Sequence, residues 1–298
     1  MKIFDCFQFF DEEMLLDLRL NIMDKYVDKF VITEATYMHN GKPKKLIFDI
    51  NKYSKFKDKI IYIIVDKQPP NLHSINKSDE NLQDTKGQKL ILNGYKRDNY
   101  QRQMAQKILK NIEPDDWILI NDIDEIPNME NINFKKIKNK FIIFKQKIFY
   151  YKFNLLYPNV SWYGSKACKK RDFVDPQWLR DMKYKKYPLW RIDIILSKKK
   201  YNNIYHIEEG GWHFTNIKSA KDIEKKLLNY THHYEFEQSG LTINDLRKKI
   251  LEKKIIYDHS VDQREPKWES KKTLTKIELS EMPAYLRENY DKYTNWLE

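Results

Sequence analysis

The stretch Trp117–Asn128, WILINDIDEIPN, decides how this chain folds. Its apolar opening asks for a buried strand. Its end places three carboxylates, Asp122, Asp124 and Glu125, within four positions, and Pro127 stops a continuing ladder or helix. A hydrophobic strand that delivers Asp-x-Asp to its C-terminal tip is how open α/β sheets present a metal site to a phosphorylated ligand. Two ionised carboxylates so close repel each other unless a cation lies between them. An ordinary acidic turn after a strand is the plain alternative, and the rest of the chain has to decide.

Upstream, a βαβ rhythm leads into this strand. Lys2–Phe7 reads as a first strand, and Asp11, Glu12 and Glu13 place negative charge at a helix N-terminus. Leu15, Leu16, Leu18, Leu20, Ile22 and Met23 form that helix's wide apolar face. Phe30–Thr33 and Ile60–Val65 read as further strands. This alternation predicts an α/β fold with a mostly parallel central sheet flanked by helices. Gln68–Gly94, with Pro69-Pro70, polar residues and two glycines, reads as a long surface loop, followed by a helix from Tyr95 to about Asn111. Beyond Pro127 the aromatic, β-branched run Phe141–Leu156 suggests an antiparallel part. A strand at Trp190–Leu196, helices at about Ser219–Tyr230 and Thr242–Lys253, and a tail packed back from Met282 to Leu297 complete the expectation. With no repeat or low-complexity linker, residues 1–298 read as one domain: a nucleotide-binding half (1–128) and an acceptor-side half with C-terminal helices (129–298).

Composition narrows the function classes. The 298 residues carry 33% charged residues and a net charge of +12, which favours anionic partners. The lysines are scattered, however, and no nucleic-acid-binding motif accompanies them, so a basic nucleic-acid binder is only an alternative reading. Two cysteines, Cys6 and Cys168, fit a reducing, cytoplasmic setting and make no metal site. No apolar run approaches the roughly 18 residues of a membrane helix. With seven glycines there is no G-x-G-x-x-G and no P-loop. A phosphatase with an aspartyl nucleophile also ends a strand in Asp-x-Asp, but near its N-terminus and with Thr or Val where this chain has Ile126.

A metal bound by Asp124 and Asp122 is expected to be Mg²⁺ or Mn²⁺, because the ligands are carboxylate oxygens. Its task is to neutralise the pyrophosphate of a nucleotide sugar. His213, after Gly210-Gly211-Trp212, is the candidate third ligand, set against a structural histidine beside a packing Trp. Arg97 and Arg102 suit a diphosphate, against a solvated helix face. Glu34 sits at a strand tip where a nucleotide-facing residue belongs. Trp162 and Trp212 are candidates to stack on a sugar, against ordinary core packing.

Several stretches together are familiar: FDCFQFFDEEMLLDLRL, VDKFVITEATYMHNGKPKKL, RDNYQR, DDWILINDIDEIPN, GGWHF and MPAYLRENYDKY. In this order they resemble glycosyltransferase family 17, the family of the bisecting N-acetylglucosaminyltransferase. The resemblance implies a GT-A type fold and inverting transfer of N-acetylglucosamine from UDP-GlcNAc. It matches Asp122 and Asp124 to the family's metal and nucleotide-sugar motif. The chain shows no anchor or signal like that of the animal enzymes, so the expected acceptor is a glycan or glycolipid, with room for peripheral contact with an anionic membrane. Inversion needs a carboxylate base. Glu209 ranks narrowly ahead of Glu125, whose pKa a nearby cation would lower; Glu208 and Asp172 follow.

Overall fold

The computed structural model describes residues 1–76, 79, 83–184, 190, 203–258, 267–268, 270 and 272–298. Its strands form two mixed sheets. The first begins with β1 (Ile3–Phe9), β2 (Lys29–Ala35), β3 (Ile60–Val65) and β4 (Trp117–Ile120), paired in parallel in the order β3-β2-β1-β4. β9 (Lys166–Lys169) then pairs antiparallel with β4 and with β6 (Phe141–Phe144), and β10 (Ile204–Ile207) closes the row parallel to β6. Among these seven strands β9 alone runs against the rest, so the sheet is mostly parallel, as expected. β4 is buried throughout, which is why WILI carries no polar alternation.

The second sheet has the order β12-β8-β7-β11-β5. Its members are β5 (Glu125–Pro127), β7 (Gln146–Tyr150), β8 (Leu155–Trp162), β11 (Gly211–Thr215) and β12 (Thr275–Lys276). Both sheets draw strands from beyond residue 128, so the division of the chain there is not a division between sheets.

Helix α1 (Glu13–Met23) buries the six apolar residues expected of it. Each contributes about 1.5–3 kcal/mol of burial. The same helix also buries Arg19, with no exposed surface. The long helix differs from expectation. Helix α2 spans Gln83–Gln103, and a short helix α3 spans Gln106–Leu109, so half of the stretch read as loop is helical. Its glycines mark close packing and not a break: a Cβ on Gly87 would stand 2.3 Å from the Tyr234 ring. The strand expected at Trp190–Leu196 lies, apart from Trp190, outside the described residues.

Helix α4 is Pro176–Arg180, α5 Ala220–Leu227, α6 His233–Ser239, α7 Ile243–Leu251 and α8 Ala284–Glu288. The C-terminal tail does pack back: Met282, Leu286 and Tyr293 join the main apolar cluster beneath α1. Among the described residues no helix is long and apolar enough to cross a membrane.

Candidate active site

In an open sheet a ligand binds beyond the carboxyl ends of the strands, where the order reverses. Here that point lies between β1 and β4, since the chain passes from β1 to β2 on one side and later enters β4 on the other. A cavity of about 420 Å³ opens there, within the size range of small-molecule sites. Its wall includes Gln8 at the end of β1 and Phe10 just after it, Asp98 and Arg102 on α2, and Asp122 and Asp124 after β4.

The acidic loop is built rigidly. The Asp122 amide donates to Glu125 Oε2 at 3.0 Å, and the Glu125 amide donates to the Asp122 carbonyl at 3.0 Å. From beneath, the Arg19 guanidinium donates to the carbonyls of Asp122 and Glu125 at 3.2 and 2.7 Å. It also makes a two-pronged ion pair with Asp5, at 2.8 and 2.6 Å, and Asn121 donates to the same carboxylate at 2.6 Å. A buried charge is tolerated only when paired and hydrogen-bonded in this way.

β11 supplies the other half. It pairs antiparallel with β5, setting His213 opposite Glu125, and the Phe214 amide donates to the Asp124 carbonyl at 2.8 Å. Gly211 makes this approach possible: its φ is +115° and a Cβ would stand 2.3 Å from the Ile126 carbonyl oxygen. GGWHF and DIDEIP are therefore neighbouring strands. His213 Nε2 lies 3.8 Å from Asp124 Oδ1, and the imidazole stacks on Trp162 at 4.8 Å.

The two aspartates of the motif end up in different surroundings. Asp122 meets two guanidinium groups, Arg180 at 2.6 Å and Arg102 at 3.2 Å. Arg180 also grips both oxygens of Glu125, at 2.6 and 2.8 Å, while Trp162 Nε1 donates to the same carboxylate. Burial alone would raise the Glu125 pKa, but the Arg180 guanidinium outweighs it and holds the carboxyl well below the usual carboxylate range. Asp124 faces only His213 and, at 3.5 Å, Lys226 Nζ, and its side chain makes no hydrogen bond among the described residues.

The donor set can be tested against a divalent cation. Among the described residues no group of three or more His, Cys, Asp or Glu side chains is placed to enclose one. A hard cation that keeps waters and substrate phosphates needs only one or two protein ligands. Asp124 and His213 fit that requirement: both line the cavity, and His213 Nε2 lies 3.8 Å from Asp124 Oδ1, neither side chain making a hydrogen bond among the described residues. Asp122 does not fit, because arginines hold its oxygens.

A model of glycosyltransferase family 17 matches residues 1–297. The chain belongs to glycosyltransferase family 17. Over 131 residues, 41% of the chain, it is 29% identical to the β-1,4-mannosyl-glycoprotein 4-β-N-acetylglucosaminyltransferases of Homo sapiens and Rattus norvegicus. The corresponding enzyme of Mus musculus is 28% identical over the same length. The matched stretch spans 21% of each relative's length.

This family 17 chain gathers some of the expected site residues and scatters others. Asp122, Asp124, Arg102, Trp162 and His213 line the cavity. Glu209 does not: its side chain is 84% exposed, on a separate depression shared with Asn128 and Tyr205. The two glycines that bring β11 against β5 leave Glu209 outside that pairing, on the surface turn before it. Glu208 pairs with Lys145 on the surface at 2.7 Å. Glu125 is fully buried outside the cavity lining, its oxygens taken by Arg180, Trp162 and the Asp122 amide. Glu34 is fully buried, paired with Lys44 and accepting from the Ile47 amide and the Tyr62 hydroxyl at 3.0 and 2.8 Å; it anchors the loop after β2. Arg97 is spent on Gln68 and the His39 carbonyl, at 2.8 and 3.0 Å. Trp212 belongs to the apolar cluster, its Nε1 donating to the Glu281 carbonyl at 2.9 Å.

Residues that pattern reading passed over turn out to matter. Arg19 had a signal, a cation in the middle of an otherwise apolar helix face. Arg180, 55 positions from Glu125, had none. Neither did Lys226.

Proposed function

We propose that this chain transfers N-acetylglucosamine from UDP-GlcNAc to a hydroxyl of a glycan or glycolipid acceptor with inversion, using Mn²⁺ or Mg²⁺. One observation carries the reading: in a family 17 chain, Asp124 and His213 meet side by side at the switch point of a mostly parallel sheet, over a cavity of ligand size. The strand order β3-β2-β1-β4-β9-β6-β10, with β9 reversed, supports reading the first sheet as GT-A type. The names of the relatives support the sugar.

Asp124 and His213 would hold the cation. When bound, it supplies positive charge to the diphosphate and makes the nucleotide a better leaving group. Arg102, whose guanidinium is held by Asp98, Asp122, Gln8 and Gln177, adds a fixed positive charge to the cavity wall, its terminal nitrogens already engaged. The Arg180–Glu125–Asp122 cluster does no proton transfer; it holds the loop so that Asp124 keeps its place. Trp162 closes the wall behind His213. The acceptor's proton then passes to a carboxylate that lines the cavity. Besides the motif aspartates these are Glu12 and Asp98.

Titration calorimetry with UDP-GlcNAc, with and without Mn²⁺, tests the reading. Metal-dependent binding, with slow hydrolysis of the donor that Asp124→Asn lowers on the order of 100-fold, is expected. If the protein binds no nucleotide sugar with either metal present, the reading is wrong.

A further inference from the structure

Lys226 stands out among the lysines of its region. Lys218 and Lys225 both pair with Asp11 after β1, Lys225 at 3.1 Å. Lys226 is at the end of α5, and its Nζ lies 3.5 Å from Asp124 Oδ2 on the cavity wall, with no hydrogen bond to it. The helix is firmly placed. Ser219 caps it by accepting from the Asp222 amide, and Ile223 and Leu227 are buried. The ammonium therefore shares Asp124 with His213, each on one oxygen.

We propose that Lys226 is a built-in cation at Asp124 that yields its place to a divalent metal and then turns to the diphosphate. The proposal deepens the donor-site reading above and rests on it. Two positive charges beside one carboxylate repel, so the ammonium weakens metal binding in the empty site. A lysine has a flexible four-carbon stem and a compact charge, so it can leave the carboxylate for a phosphate oxygen in the same cavity. Once UDP is present, Lys226 has a partner whether or not it holds Asp124, and its opposition to the metal disappears. Metal and UDP then strengthen each other's binding, and by linkage the factor is the same in both directions. Lys226 thus favours loading of metal and nucleotide together over metal alone.

The test is Mn²⁺ binding to the intact protein, read from the free-ion electron paramagnetic resonance signal, with and without UDP. Lys226→Met should bind Mn²⁺ alone about tenfold more tightly than wild type, a 1.4 kcal/mol change. The same variant should lose about that tenfold factor from the strengthening that UDP gives, leaving the part that comes from direct contact between metal and diphosphate. Lys226→Arg keeps the charge and should retain weak binding of Mn²⁺ alone, and thermal melting checks that both variants fold. If Lys226→Met binds Mn²⁺ no more tightly while UDP still strengthens binding as in wild type, the lysine has no such part and the donor-site reading stands. If wild type binds neither Mn²⁺ nor UDP, the donor-site reading fails and the role of Lys226 fails with it.

Discussion

The two ends of Asp122–Glu125 are three residues apart and chemically opposite. At one end, Asp122 and Glu125 are tied to Arg180, Arg102 and Trp162 by short, nearly saturated hydrogen bonds. At the other, Asp124 has an imidazole at 3.8 Å and an ammonium at 3.5 Å, and no hydrogen bond to either. An ion cluster whose members are all paired costs much to disturb, whereas a carboxylate without firm partners is free to take a ligand. The locked end holds the loop, and the open end carries the proposed metal ligand. The sequence Asp-x-Asp makes the two aspartates look equivalent, and the fold makes them different.

That contrast can be broken from the locked end first. Glu125→Gln removes one of the two carboxylates that pair with Arg180, leaving Asp122 as the other, and should cost about 1.5–3 kcal/mol of stability, read from the urea midpoint. The pH dependence has a definite sign. The folded Glu125 pKa lies below its ordinary 4.5, so its contribution is complete above that pH and lost as the pH falls toward the folded value. The stability gap between wild type and Glu125→Gln should therefore be constant near neutrality and shrink below pH 4.5. A gap independent of pH would contradict the locked carboxylate.

The open end should respond in the opposite way. Asp124→Asn should reduce donor turnover on the order of 100-fold, about 2.7 kcal/mol, and leave the urea midpoint nearly unmoved. A large loss of stability would place Asp124 in the locked cluster. Trp162→Phe keeps a ring against His213 but removes the indole donor to Glu125, and should cost about 1–3 kcal/mol of stability. The smallest effect belongs to Glu209→Gln. With a side chain 84% exposed outside the cavity, it should stay within about 0.5 kcal/mol in stability and keep wild-type turnover. A large loss of turnover would return Glu209 to the site.

Much of the architecture was legible because it rests on local pattern. Ile60–Val65 is a strand over the expected residues, and the Leu-rich face of α1 is buried as its spacing dictates. Gln68–Gly94 misled because glycine and polar residues usually mark loops. Here Gly87 instead makes room for the Tyr234 ring, a contact between residues far apart in the chain. The pairing of DIDEIP with GGWHF was partly legible, since both blocks carry site-type residues. Glu209 misled because closeness along the chain to His213 is not closeness to the cavity: two glycines place one residue in a buried strand and leave the other in solvent.

By itself the sequence determined the βαβ start, a mostly parallel sheet, the acid-bearing tip and the resemblance to family 17. Hydrophobic period, turn residues and motif order all act over a few neighbouring positions. Only the tertiary structure decided which acid is held by arginines and which is left without a hydrogen bond. Arg19, Arg102, Arg180, His213 and Lys226 come from five separate segments, and each stands within a few ångströms of a carboxylate in or beneath the loop. Electrostatic energy depends on separation in space and on burial, and neither can be read from separation along the chain.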